Sequence, residues 1–285
     1  MARPLRIEFA GGFYHVTSRG NQRSTIFLQD ADRMEWLALV AQVADRLQWR
    51  VYAYCQMDNH FHLLVQTPEP NLSRCMRHLN GLYTQRFNRH HHRCGHLLQG
   101  RYHAVIVDDR SYLLEVIRYV LLNPVRAGLV THAADWQWSS FRSTLGETVA
   151  PPWLAVSDVL RYFAPDAARA TRAFRSFVDA GMAMRSPWTA LTQHIYLGDE
   201  AFIERTQALM LQARREDPEI PRSQRIKRPA SLTDIFVDTT DVASGVVAAY
   251  CSGRFTMRQI AAYLGVHYST VSRLLARLEM LDCKT

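Results

Sequence analysis

Three features of the chain predict an α+β fold. Up to about residue 123 the periodic segments run in the order β-α-β-β-α-β-α. Beyond about residue 130 the strand pattern stops and helical periodicity takes over. The last fifty or so residues form a compact helical piece. The first order is that of a split βαβ unit, which implies a ferredoxin-like antiparallel sheet with helices on one face.

Each element has a local reason. Residues 13–18, FYHVTS, alternate as a strand does and end at RGN, a turn signal. Over 31–48, Trp36, Leu37, Val40, Val43, Ala44 and Leu47 fall on one helical stripe. Strands follow over roughly 50–56 and 60–66, joined by Met-Asp-Asn at 57–59. Residues 71–91 read as a second helix with Asn71 or Ser73 near its start. HAVIVDD, at 103–109, is a short strand, and the helix that begins near 111 should stop near Pro124. Residues 1–145 thus form the α+β domain, and 146–215 a helical middle region with breaks at APPW and SPW. There Trp153, Phe163, Phe174, Phe177 and Trp188 read as core. Residues 216–232, rich in Pro, Ser and charge, read as a linker to a helical piece over 233–285.

Composition narrows the function classes. The chain has 285 residues, 48% of them hydrophobic, which suits a folded protein with a sizeable core. Net charge is +8, almost all of the positive charge being arginine. Arginine binds phosphate through a planar fork, so nucleic acid is the first partner to consider. A GC-rich coding sequence produces the same bias, so composition alone leaves that partner open. Cysteines at 55, 75, 94, 251 and 283 include no CxxC pair, which argues against a disulfide framework or a zinc ribbon and for a reducing cytosol. No signal-peptide core or membrane-length apolar run is present. A cytoplasmic, nucleoid-associated protein with no membrane partner is expected.

The most informative stretch is YCQMDNHFHLLVQ, residues 54–66. Residues i and i+2 of a strand face the same way. His60, His62, Leu64 and Gln66 therefore share one face, while Phe61, Leu63 and Val65 share the apolar one. The two imidazoles start about 7 Å apart along the backbone and can converge on one metal ion. The alternative is a pair of hydrogen-bonded or exposed histidines. The helix over 111–123 offers further chemistry, because Glu115, Tyr119 and Asn123 recur on one face. Asn123 has a neutral oxygen suited to a hard cation such as Mg²⁺ or Mn²⁺. Tyr119 is a candidate nucleophile, although tyrosine on an amphipathic helix is mostly packing and asparagine before proline is a common helix stop. Glu115 is expected to pair with Arg118. NRHHHRCGH, residues 88–96, reads as a solvated basic loop rather than a metal cluster.

HFH at 60–62, RYVLLNPVRAGLV at 118–130 and YHVTSRGNQRSTIF at 14–27 together resemble the single-tyrosine HUH transposase family. This is the insertion-sequence type, which includes the REP-associated tyrosine transposases. The resemblance covers about residues 5–145. It implies a metal pair at His60 and His62, a nucleophile at Tyr119 and a third metal ligand at Asn123, with Mg²⁺ or Mn²⁺ as cofactor. It also implies that Arg19, Asn21, Arg23, Asn59, Arg101 and Arg126 lie near DNA. The activity implied is cleavage and rejoining of single-stranded DNA at hairpin ends through a 5′-phosphotyrosine. One chain could act alone, or one chain's tyrosine could serve a second chain's metal.

FTMRQIAAYLGVHYSTVSRLLARLE, residues 255–279, has the grammar of a helix-turn-helix, with Gly265 at the turn. Ala261, Leu264, Val266, Val271 and Leu274 or Leu275 would close its core. His267, Tyr268, Ser269, Thr270 and Arg273 would face a major groove in flanking duplex DNA. The alternative is a plain helical hairpin. Two other functions compete with the transposase: a domesticated DNA-binding protein that no longer cleaves, and a metal phosphodiesterase that does not use the tyrosine.

Overall fold

The alternating segments become one five-stranded sheet. Its strands are β1 (Gly12–Arg19), β2 (Arg50–Gln56), β3 (His60–Thr67), β4 (His103–Val107) and β5 (Tyr196–Leu197). They lie in the order β2-β3-β1-β4-β5. The computed structural model describes residues 7–184, 186–193, 195–216, 231–237, 239, 241–251 and 255–282. Two compact units divide the chain, Met1–Met210 and Leu211–Thr285, so residues 146–210 fall in the same unit as the sheet. No described helix is long and apolar enough to cross a membrane.

The first four strands pair antiparallel in the split βαβ order, but the sheet as a whole is mixed. β5 runs parallel to β4, with Ile106 beside Tyr196 and Val107 beside Leu197. This strand was not legible in the sequence, where strands were expected to end by residue 130. Two residues carry no periodicity; β5 is fixed by Ile106 N–H donating to Ile195 O and Asp108 N–H donating to Leu197 O, both at 2.8 Å.

Helices cover both faces, not one. α1 (Asp30–Leu47) and α2 (Leu72–His90) pack on the face that carries Val16, Phe61, Leu63, Val65 and Ile106. Trp36, Leu39 and Val40 of α1 and Met76, Leu79 and Tyr83 of α2 fill that layer. α3 (Leu113–Arg126) packs on the opposite face, where Val116, Ile117, Val120 and Leu121 meet Ala53, Cys55, Leu64 and Val105. Four further helices complete the unit: α4 (Phe141–Thr144), α5 (Val156–Leu160), α6 (Ala167–Asp179) and α7 (Glu200–Glu216). Val159, Phe174 and Val178 of α5 and α6 join the core beneath α3, and Phe163 and Phe177 pack against it. The amphipathic stripe of α3 thus has a partner on each side, which is why the strand face bearing the histidines is closed over along most of its length.

α3 passes through Pro124 and ends two residues later. Proline has no N–H to give to Val120 O. The Asn123 side chain folds back along the helix, its Nδ2 donating to Tyr119 O at 2.8 Å and reaching the freed Val120 O only at 3.5 Å. Gly128, at φ 69°, then supplies the left-handed residue at which the chain turns away.

The turn before His60 is held by Arg33 of α1. Arg33 is buried, donates to Gln56 O at 3.2 Å and pairs with Asp58 at 2.6 Å. Its guanidinium lies 5.1–5.6 Å from the rings of Phe27, Trp136 and Trp138. Gln56 in turn donates to Arg33 O at 3.0 Å.

The second unit contains α8 (Leu232–Val237), α9 (Val242–Cys251), α10 (Met257–Leu264) and α11 (Tyr268–Asp282). The expected linker falls almost wholly on residues 217–230, outside the described residues. Thr256 and Gln259 form a reciprocal cap at the start of α10, and Gly265, at φ 67°, ends it. Ala261 and Val271 are buried as expected, with Ile260 and, from α9, Val246 and Ala249. Val266 is not core: it is 39% exposed, because the turn at Gly265 directs it outward.

Replacing Arg33 with Met keeps most of its packing but removes the donors to Gln56 O and Asp58. Urea denaturation should show a loss of about 2 kcal/mol. Asp58→Asn should cost less than about 1 kcal/mol, since Asp58 is half exposed.

Candidate active site

The middle of the sheet face beneath α3 is apolar, and imidazoles gather at one end of it. There His15 and Thr17 of β1 and His60 and His62 of β3 stand together. Register explains the grouping. Thr17 pairs with His62 and His15 with Leu64, so His15 and His62 are diagonal neighbours on one face. A cavity of about 430 Å³ opens at this point. His15, His60, His62 and Tyr119 line it, with Arg19 and Arg101 at its exposed side.

The rings are closely spaced. His60 and His62 lie 4.9 Å apart between centroids, and His62 lies 5.9 Å from Tyr119. Tyr119 reaches the imidazoles because the stripe of α3 that buries Val116 and Val120 holds the helix directly over them. On its other sides the Tyr119 ring meets Trp188 at 5.0 Å, edge to face, and the guanidinium of Arg126 at 5.1 Å. Trp188 also lies 4.7 Å from His15.

Each histidine of the pair is anchored through Nδ1. His60 Nδ1 meets Asn59 Oδ1 at 2.7 Å, while Asn59 Nδ2 donates to Arg23 O at 3.0 Å. His62 Nδ1 meets Nε2 of His15 at 3.0 Å. Both bonds leave Nε2 for a ligand. His62 Nε2 is buried and has no hydrogen-bond partner among the described residues. An imidazole so placed must be neutral. Burial first, then His15, His60 and Arg19, hold His62 well below the ordinary histidine range. Burial, then Arg19, lowers His60 to about 4. Burial, then His103, lowers His15 to about 3. Neutral imidazoles with a bare buried nitrogen fit a divalent cation in donor chemistry. Among the described residues no group of three His, Cys, Asp or Glu side chains is placed to hold a metal ion.

The other expected residues divide plainly. Asn123 does not line the cavity; its amide is engaged along its own helix. Glu115 pairs with Arg118, as its spacing suggested. Asn21 and Arg23 are exposed in the loop after β1, where Gln22 and Arg23 adopt left-handed φ of 52° and 61°. Gly20 is required there: a Cβ would sit 2.0 Å from Ser24 O. In the histidine-rich stretch, His91 bonds Asp32 at 2.8 Å and His90 bonds Gln29 at 2.6 Å, so both hold the start of α1. In the second unit His267, Tyr268 and Arg273 are exposed, and Ser269 and Thr270 half-buried, near the start of α11.

Residues 10–122 match the family model described as IS200-like transposase. A Haemophilus influenzae protein named as a REP-associated tyrosine transposase is 26% identical over 152 residues, covering 50% of this chain and 86% of that protein. Two solved structures are also similar. One is a REP-associated tyrosine transposase bound to a REP hairpin: 20% identity, TM-score 0.45, 54% of this chain and 92% of that one. The other is described as a transposase from Deinococcus radiodurans: 16% identity, TM-score 0.30, 42% of this chain and 94% of that one.

Among the lining residues that the sequence did not single out are His15 and Trp188. His15 looks like an ordinary strand histidine until the β1–β3 register brings it against His62. Trp188 reads as core, and lies beyond the matched segment; it reaches the cavity from a short helical turn at Pro187–Ala190, opened by Ser186 accepting from Trp188 N–H.

Without added metal the chain should lose stability as pH falls from about 6.5 toward about 4. An unfolded histidine takes its proton near 6.5. In the folded chain His60 resists protonation until about 4 and His15 until about 3. Between those limits the unfolded state binds more protons, so stability rises with pH. Thermal melts across this range check it, and His60→Gln should flatten the slope.

Proposed function

We propose that the chain is a tyrosine transposase that cleaves and rejoins single-stranded DNA beside a hairpin. The observation that carries this reading is the single cavity in which the Tyr119 ring stands 5.9 Å from His62, with Arg19 and Arg101 lining its exposed side. The family match over residues 10–122 and the name of the Haemophilus influenzae relative support it.

In this reading Tyr119 Oη attacks the scissile phosphorus and loses its proton. The P–O3′ bond breaks, the 3′ oxygen gains a proton, and the 5′ phosphate stays on the tyrosine as an ester. The ester conserves the energy of the broken bond, so a second 3′-OH can attack it and release Tyr119 without ATP. His60 and His62 would hold Mg²⁺ or Mn²⁺ through Nε2, with Asn123 Oδ1 as proposed third donor after a change of its side-chain torsion. A cation held by these residues would supply polarisation of the phosphate and of the leaving oxygen. Arg19 and Arg101 bind neighbouring phosphates, and Asn59 holds His60 in orientation. Trp188 and Arg126 confine the phenol ring, which favours an in-line approach.

A second DNA contact is proposed on the C-terminal unit. A capped α10, a left-handed glycine and an exposed start of α11 support a helix-turn-helix that presents His267, Tyr268, Ser269, Thr270 and Arg273 to duplex DNA. The protein would act in the cytoplasm, on nucleoid DNA.

A labelled hairpin oligonucleotide with Mg²⁺ should give a covalent protein–DNA adduct that Tyr119→Phe abolishes. Binding with no adduct would make the chain a non-cleaving DNA-binding protein, and cleavage that survives Tyr119→Phe would make it a metal phosphodiesterase. Arg101→Ala should weaken hairpin binding and reduce the slope of log K against log salt by about 1.

A further inference from the structure

Two imidazole nitrogens that share a hydrogen bond hold one proton between them. His15 Nε2 and His62 Nδ1 are such a pair, 3.0 Å apart and buried. The two outer nitrogens, His15 Nδ1 and His62 Nε2, are also buried and have no hydrogen-bond partner among the described residues. Only two neutral arrangements exist. With the shared proton on His62, His62 Nε2 is bare and His15 carries its own proton on Nδ1. With the shared proton on His15, His62 Nε2 is protonated and can bind no cation.

We propose that His15 is a positioning residue for His62: its Nε2 accepts the Nδ1–H of His62 and fixes the tautomer in which His62 Nε2 is bare. This rests on the reading of His60 and His62 as the cation-binding pair. Two observations carry it. First, His15 cannot turn away, because the rings of His15 and His62 are stacked at 5.2 Å and 21°, and Trp188 closes the far side. Second, His60 has the same arrangement from a different residue. Asn59 offers Oδ1 to His60 Nδ1, and its orientation is set by Nδ2 donating to Arg23 O. Both histidines are therefore anchored at the same nitrogen and leave the same nitrogen bare. An acceptor behind a ligand imidazole also raises its basicity and fixes its plane, and losing one typically costs 10–100-fold in metal affinity.

Mn²⁺ binding to the full-length chain, without DNA, tests this by calorimetry and by the electron paramagnetic resonance of free Mn²⁺. His62→Ala should abolish the site. His15→Phe, which keeps a ring but offers no acceptor, should weaken Mn²⁺ by about 10–100-fold. His15→Gln, whose Oε1 can accept the same proton, should recover most of that loss. Unchanged affinity in His15→Phe alongside loss in His62→Ala overturns the role of His15 and leaves the cation site standing. Unchanged affinity in His62→Ala overturns the cation site itself and the role of His15 with it. Should His15→Phe not fold, ¹⁵N NMR of the imidazoles in the wild-type chain decides the matter. The Nδ1–H tautomer of His62 supports the proposal, and the Nε2–H tautomer overturns it.

Discussion

The site depends on one constraint: a strand has two faces, and β3 needs both. Phe61, Leu63 and Val65 lock one face onto α1 and α2, which fixes the register and orientation of the strand. His60 and His62 then have no choice of direction. They point at the face covered by α3, into a layer otherwise made of Val, Leu, Ile and Phe. A one-residue slip would put imidazoles against Trp36 and move Phe61 beneath Tyr119. The chemistry of the site is therefore held by hydrophobic burial on the side of the sheet that does not carry it.

That layer also sets the electrostatics. Desolvation is the leading cause of the low proton affinity of His15, His60 and His62. Water is replaced by the rings of Tyr119 and Trp188 and by the flanks of α3. Arginines stand at the opening instead of inside it, where they meet phosphate without the cost of burying an unpaired guanidinium. Arg33 is the buried exception. It is surrounded by aromatic rings and paired with Asp58, and its place is to hold the turn from which β3 starts.

What the sequence disclosed follows the range over which each signal acts. The period of two in β1 and β3 and the period of 3.6 in α1 and α3 are local, and they located the His60–His62 pair and Tyr119 on the correct elements. The resemblance to the transposase family named the same residues. Contacts between distant elements were not legible. His15 gains its partner through register, and Trp188 comes within 5.0 Å of Tyr119 only through the packing of α5 and α6 beneath α3. The placement of α3 on the second face is likewise a matter of tertiary packing, since an apolar stripe does not say which side of a sheet it will cover. At Pro124 the local rule did speak, and α3 ends two residues beyond it, at Arg126.

β5 has a consequence at the margin of the sheet. It occupies the outer side of β4, and at the opposite margin the backbone of β2 is bonded to the segments around Ser140 and Leu154: Ser140 N–H to Tyr54 O at 3.0 Å and Ala155 N–H to Val51 O at 2.8 Å. Over Ile106–Val107 and at Val51 and Tyr54 these backbone groups are already taken and not free for a neighbouring polypeptide to zip onto. Strand addition at those positions, and the fibrous aggregation that begins the same way, are discouraged.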